Sequence, residues 1–327
     1  MQGRQRSDCK PKEMNEGSNM KVAVIGLGLM GLSIAKNVAK AGFDLKVFDI
    51  NEAAAASIPE SIVSVAKTPG DAGRDTDVVL LSLPGPTEVK SVCLGPGTLS
   101  ETLKPGAVIV DLSTNGVDVV KELEAKLKDK GVSFLDGPVS GGPWGAADGT
   151  LAIWVGGDKA AFEKALPVLK AAGKAIEHMG AVGTGTITKL VHNTGANIRH
   201  VMLSEIMNLG VKAGIEPLAL FKAIREGSNG LQRTFDGIAM KYMDGTYDEP
   251  AFRLRHAHKD LRLALELADG MGLQMDLSKA VMTQLEAAMD KGWADRDSSA
   301  VALISQQAAG IEIKPVDKAI LKEIVSK

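Results

Sequence analysis

Lys189, His192 and Asn193 stand at i, i+3 and i+4 in the segment GTGTITKLVHN at 183–193, a spacing that puts all three on one side of a helix. A lysine beside an amide suits the interconversion of a hydroxyl and a carbonyl: the lysine gives or takes the proton, and the amide fixes the oxygen or a neighbouring carboxylate. Such chemistry needs the lysine pKa drawn toward neutrality by a poorly hydrated cleft and nearby cations. The plain reading of Lys189 is a solvated helix lysine. His192 is open to two readings, contact with a substrate or packing at a domain junction. A second group, Ser140, Gly141 and Gly142, offers a hydroxyl and unobstructed backbone N–H groups, a nest for a carboxylate; the same triplet also makes flexible turns.

The chain also carries a phosphate-cradling pattern. An apolar run at 22–25 leads into Gly26-x-Gly28-x-x-Gly31, a helical pattern follows, and a second apolar run ends on Asp49. This is the arrangement of a dinucleotide site. Gly26 makes the tight turn, Gly28 lets backbone approach a pyrophosphate, and Gly31 lets the helix pack closely on the strand. The pyrophosphate sits on free N–H groups at the helix start, formed by Leu27, Leu29 and Met30 with the glycines. Asp49 takes the ribose hydroxyls and repels a 2′-phosphate; neither Ile50 nor Asn51 supplies a compensating positive charge. NAD is therefore expected, and NADP is disfavoured.

The elements that must position these groups alternate through the first half. Strands are expected at 22–25, 45–48, 78–82, 108–111, 133–135 and 151–155, with helical patterns between them and a helix at 160–172. That alternation predicts an α/β domain, a Rossmann-type doubly wound parallel sheet. From about 186 to 213 one long helical pattern without proline runs on, followed almost entirely by amphipathic helices. The expected organisation is a dinucleotide-binding domain at 20–182 and an all-α domain at 183–327, joined by the long helix, whose first turns lie at the cleft between them. Residues 1–19 are polar, lack an apolar h-region and are expected to be disordered.

Composition bounds the function. The 327 residues are 45% hydrophobic and 24% charged with a net charge of −2, an ordinary globular balance that gives no footprint for nucleic acid. Apolar runs fall short of a membrane span. Cys9 and Cys93, the only cysteines, fit a reduced, cytoplasmic setting better than a disulfide framework. No metal ligand set is assigned.

Taken in order, GLGLMG at 26–31, Leu83-Pro84, Asp111-Leu-Ser-Thr114, DGPVSGG at 136–142 with Gly149-Thr-Leu151, GTGTITKLVHN at 183–193, and His258-Lys-Asp-Leu261 resemble the motifs of the β-hydroxyacid dehydrogenase family. That family includes 3-hydroxyisobutyrate dehydrogenase and tartronate semialdehyde reductase. The resemblance runs from Met20 to about Gly310. It implies that Lys189 is the catalytic lysine, that Ser140, Gly141 and Gly142 hold the substrate carboxylate, and that Asn193 is the substrate-positioning amide. It further implies that Leu83, Pro84, Ser113 and Thr114 lie near the nicotinamide end of the cofactor and that Lys259 reaches the cofactor cleft from the C-terminal domain. The run Lys189-Leu-Val-His-Asn193 is also similar to that of 6-phosphogluconate dehydrogenase, a relative in which the histidine serves.

The implied activity is NAD-linked interconversion of a small 3-hydroxy acid and its semialdehyde, with a carboxylate-bearing substrate and a homodimer or homotetramer as the assembly. Two readings compete with it: reduction of a sulfonated or dicarboxylic semialdehyde, and a dinucleotide-binding module without catalysis. Arg255, His258, Lys259 and Arg262 share a helical face, which is either solvated or an added anion site. Trp144 either narrows the acyl pocket or anchors its loop.

Overall fold

A computed structural model describes residues 20–58, 63–227 and 233–325; the tail at 1–19, expected to be disordered, lies outside them. Its strands are β1 (Lys21–Ile25), β2 (Asp44–Phe48), β3 (Ser64–Val65), β4 (Val78–Leu81), β5 (Val108–Asp111), β6 (Ser133–Asp136), β7 (Val139–Ser140), β8 (Leu151–Gly156) and β9 (Gly173–Gly180). They form one sheet in the order β3-β2-β1-β4-β5-β6-β8-β7, with β9 also paired to β8. All pairings from β3 through β6 are parallel.

The interleaved helices are α1 (Leu29–Lys40), α2 (Pro69–Gly73), α3 (Pro86–Cys93), α4 (Leu99–Thr102), α5 (Val117–Lys128), α6 (Gly142–Asp148) and α7 (Lys159–Ala172). Side chains alternate across a strand, so a sheet covered on both faces needs apolar residues at every position. β1 meets that demand. Val22 and Val24 pack with Ile34 and Val38 of α1 and Val168 of α7, while Ala23 and Ile25 face Val89 of α3 and Leu123 of α5. This is the doubly wound arrangement, and the chain order reverses beside β1. There the carboxyl ends of β1 and β4 leave a crevice on which ligands of such sheets bind.

Two features depart from the expected parallel sheet. β8 runs antiparallel to β6 and β7, because the stretch between Ser140 and Leu151 holds only the short helix α6, too little chain for a parallel crossover. β9 then runs parallel to β8. It was not expected as a strand, since its exposed positions, Lys174, Ala175, Glu177 and Met179, give no clean apolar period.

Beyond β9 the described chain is helical: α8 (Thr184–Lys212), α9 (Pro217–Glu226), α10 (Arg233–Asp244), α11 (Leu254–Gly270), α12 (Asp276–Asp290), α13 (Ala302–Ala309) and α14 (Lys318–Val325). α8 begins two residues earlier than the sequence pattern. Its first turns pack on β6 and β8, and its length serves as the axis against which α9 to α13 dock. Among the described residues no helix is long and apolar enough to cross a membrane.

Candidate active site

The glycine loop between β1 and α1 divides its labour. Gly26 sits at φ +92°, and a Cβ there would lie 2.2 Å from the Ser82 carbonyl oxygen; a Cβ on Gly31 would lie 1.9 Å from the carbonyl oxygen of Gly26. Both are required by the turn and by the close approach of helix and strand. Gly28 is different. Its φ of −66° and ψ of −169° suit any residue, and a Cβ added there meets nothing within 4 Å. It faces open space at the start of α1, whose N-terminus has no side-chain cap, so its first N–H groups remain available to an anion. These features fit a dinucleotide pyrophosphate. Leu27 is buried, Met30 half-buried and Leu29 exposed at the same loop.

Asp49, at the end of β2, accepts hydrogen bonds from Leu27 N at 2.6 Å and from Asn51 N at 2.8 Å. It therefore ties the glycine loop to the neighbouring strand end. Each carboxylate oxygen keeps lone-pair capacity for ribose hydroxyls. The loops after β4 and β5 are joined in a similar way: Ser113 Oγ accepts from Leu83 N at 2.9 Å. Ser113 N in turn donates to buried Asp111 at 3.0 Å. Burial pushes the Asp111 carboxyl up to about 6, against the lowering effect of hydrogen bonds from Asn115 and Ser113.

Lys189, in the second turn of α8, sends its Nζ to the Val139 carbonyl oxygen at 2.7 Å, beside Ser140. Burial draws the lysine below its ordinary pKa; Asp260 works against this and Lys259 reinforces it. The depth of α8 is set by Asp136 at the end of β6, whose buried carboxylate accepts from Gly183 N at 2.7 Å and Thr186 N at 2.6 Å, a cap on the helix start. Gly185 completes the seat, since a Cβ there would lie 2.2 Å from the Trp154 carbonyl oxygen.

His192 Nε2 lies 3.5 Å from Ser140 Oγ, and its Nδ1 lies 3.0 Å from Asn193 Oδ1. The imidazole also rests against the indole of Trp154, ring centroids 5.1 Å apart. Asn193 Nδ2 donates to buried Asp260 at 2.6 Å. From α11, Lys259 Nζ donates to Thr114 O at 2.9 Å and Pro84 O at 3.1 Å, and lies 3.2 Å from Asp260. One hydrogen-bonded network therefore links the Ser140 turn, α8, α11 and the loops after β4 and β5. Gly141 and Gly142 hold that turn at φ +133° and +63°, conformations that favour glycine.

Some expected groups are not part of it. Trp144 is 69% exposed, so it is no loop anchor. Arg255 pairs with Asp295 at 2.7 Å and Arg262 pairs with Glu266, so both guanidiniums of the basic face of α11 have acidic partners, while Lys259 reaches the Thr114 and Pro84 carbonyls. Asp136 and Asp260 lie within the motifs, and their part was not read from the sequence; the signal was a carboxylate beside each expected group, four residues before Ser140 and directly after Lys259.

Comparisons with known proteins agree with this geometry. Residues 21–180 match the family model described as the NAD binding domain of 6-phosphogluconate dehydrogenase. Residues 183–304 match the one described as NAD-binding of NADP-dependent 3-hydroxyisobutyrate dehydrogenase. The chain is similar to 2-(hydroxymethyl)glutarate dehydrogenase of Eubacterium barkeri, 32% identical over 90% of this chain and 98% of that protein. It is similar also to the NAD-dependent L-serine dehydrogenase of Pseudomonas aeruginosa, 32% identical over 86% and 96% of the two. Among solved structures, 3-hydroxyisobutyrate dehydrogenase from Salmonella typhimurium superposes with a TM-score of 0.80 at 25% identity, covering 88% of this chain and all of that one. With the glycine cradle, the lysine-bearing helix α8 and both family matches along one chain, the protein belongs to the β-hydroxyacid dehydrogenase family of NAD-linked oxidoreductases.

Proposed function

We propose that this enzyme interconverts a small 3-hydroxy monocarboxylic acid and its semialdehyde, with Lys189 as the group that moves the proton. The observation that carries the reading is the Lys189 amine, held 2.7 Å from Val139 O at the mouth of the Ser140 turn with its pKa drawn down by burial. NAD, cradled by Gly26 to Gly31 and Asp49, supplies hydride exchange when bound. In oxidation the neutral Lys189 amine accepts the hydroxyl proton, and in reduction the ammonium returns it. Ser140, Gly141 and Gly142 hold the carboxylate, which fixes the carbon presented for reaction. Asn193 orients the substrate, and Lys259 braces the cleft at the nicotinamide end beside Leu83, Pro84, Ser113 and Thr114.

A monocarboxylate is favoured because Arg255 and Arg262 are neutralised by Asp295 and Glu266, so a second anionic group of a dicarboxylic or sulfonated substrate meets no free guanidinium there. Asp49, with no basic residue following it, supports NAD over NADP. The division into an NAD-binding domain at 20–182 and a helical domain at 183–327, a cytoplasmic setting and a homo-oligomeric assembly belong to the same proposal. The test is a screen of NAD and NADP reduction over 3-hydroxyisobutyrate, D-glycerate, serine, threonate, 2-(hydroxymethyl)glutarate and 2,3-dihydroxypropanesulfonate. Turnover of a monocarboxylate with kcat/KM higher for NAD than for NADP is expected. Binding of NAD with no turnover of any compound would instead indicate a non-catalytic module.

A further inference from the structure

The hydrogen-bond network around His192 has a direction. Asp260 stands with one carboxylate oxygen 3.2 Å from the Lys259 ammonium and the other 2.6 Å from the Asn193 amide. A carboxylate only accepts, so Asn193 must turn its NH2 toward Asp260, which leaves its carbonyl oxygen facing His192. That oxygen also only accepts. The His192 nitrogen 3.0 Å away, Nδ1, must therefore carry the hydrogen. A neutral imidazole holds one N–H, so Nε2 is left with a bare lone pair. The Trp154 indole fixes the ring plane, and the lone pair points at the Ser140 turn, 3.5 Å from the hydroxyl oxygen.

Resting on the reading that the Ser140 turn holds the substrate carboxylate, we infer that His192 is a specificity-determining residue whose Nε2 accepts a hydrogen bond from a hydroxyl or ammonium on the carbon next to that carboxylate. With no substrate bound, the Ser140 hydroxyl is the donor within reach, at a long and weak distance. When a carboxylate takes the Ser140 hydrogen, the Nε2 acceptor turns to the substituent beside it. A 3-hydroxy acid carrying a donor at C2 satisfies it. One carrying a methyl there leaves a desolvated acceptor without a partner, and a site built to receive a hydrogen bond rejects the analogue that lacks it.

The test uses NAD reduction by both enantiomers of glycerate, serine and 3-hydroxyisobutyrate, compounds that share the carboxylate and the CH2OH group and differ at C2 as hydroxyl, ammonium and methyl. The better of glycerate and serine should exceed 3-hydroxyisobutyrate in kcat/KM by about 10- to 100-fold, the worth of one such hydrogen bond. His192→Phe keeps a ring against Trp154 and removes the acceptor. It should bring that ratio to about one, the donor-bearing substrates losing and the methyl substrate gaining, because the acceptor that a methyl leaves unpaired is gone. Nitrogen-15 NMR of histidine-labelled enzyme, assigned by the same variant, should show His192 as the Nδ1–H tautomer. Turnover confined to substrates without a donor at C2, an Nε2–H tautomer, or an equal loss on all three substrates in His192→Phe would each overturn the inference and leave the dehydrogenase reading standing. No turnover of any hydroxy acid would overturn both.

Discussion

At Lys189 two influences of opposite sign act on one ammonium. Asp260 favours the charged form, whereas burial and the neighbouring Lys259 favour the neutral amine, and burial is the largest of the three. Oxidation requires the neutral amine, so its rate should climb with pH through the depressed lysine pKa and then level, while reduction, which consumes the ammonium, should fall over the same window. Lys189→Ala should lower kcat by about 10²- to 10⁴-fold, the usual worth of a positioned proton carrier, with NAD affinity retained in a fluorescence titration. Lys189→Arg should not restore it, because a guanidinium stays protonated. A Lys189→Ala enzyme of wild-type kcat would remove the lysine from the mechanism. Leaving Asp260 in place keeps the Asn193 orientation intact in both variants, so a loss there reports proton transfer and not a disordered site.

The strand–turn–helix element from β1 to α1 can be separated into what folds and what binds. Gly31 touches the Gly26 carbonyl so closely that even a methyl would overlap it, at 1.9 Å. Gly31→Ala should therefore destabilise the protein by about 1–3 kcal/mol or more, as overpacking does. Gly28 has room for a methyl and an ordinary backbone conformation. Gly28→Ala should keep the thermal midpoint within a few degrees and still weaken NAD binding by about 10-fold or more, roughly 1.4 kcal/mol, because the added Cβ stands where the pyrophosphate must approach. Unchanged NAD affinity in Gly28→Ala would show that this turn serves the fold alone. The element across the cleft, α8, is held by similar means: Asp136 and Gly185 clamp its first turn to β6 and β8, so the distance from the helix start to Lys189 sets where the amine emerges.

The whole molecule is braced across its cleft by Lys259, which spans from α11 to the Thr114 and Pro84 carbonyls, and by Lys189 on Val139. Its other large-scale feature is a stripe on α8. Ile187, Val191, Met202, Ile206 and Leu209 are all exposed, Leu209 by 73%, and at 3.6 residues per turn they fall within roughly 100° of arc. Such a stripe on a long helix suits the oligomer proposal, with a second copy of the chain as the partner that would cover it. Light scattering should give a mass of at least two chains for the wild type and a smaller one for Leu209→Lys. A wild type that is monomeric at micromolar concentration would end the proposal.

Much of this was legible from the residues alone, for a physical reason: the requirements were local. The glycine loop, the apolar strands at 22–25 and 108–111 and the proline-free run of α8 each answer to backbone geometry and to neighbours a few positions away. The family motifs named Lys189, Asn193 and the 140–142 turn on the same basis. What the tertiary structure alone decided was partnership between distant segments. The antiparallel β8 and the polar edge strand β9 follow from chain lengths and neighbouring strands, not from an apolar period. Arg255 and Arg262 each meet an acid, and of these Asp295 lies far along the chain. Asn193 meets Asp260 across 67 positions, and that encounter sets the orientation of an amide and, through it, of an imidazole. A hydrogen bond has a donor and an acceptor, and which of them a side chain presents is decided by the group it meets in space.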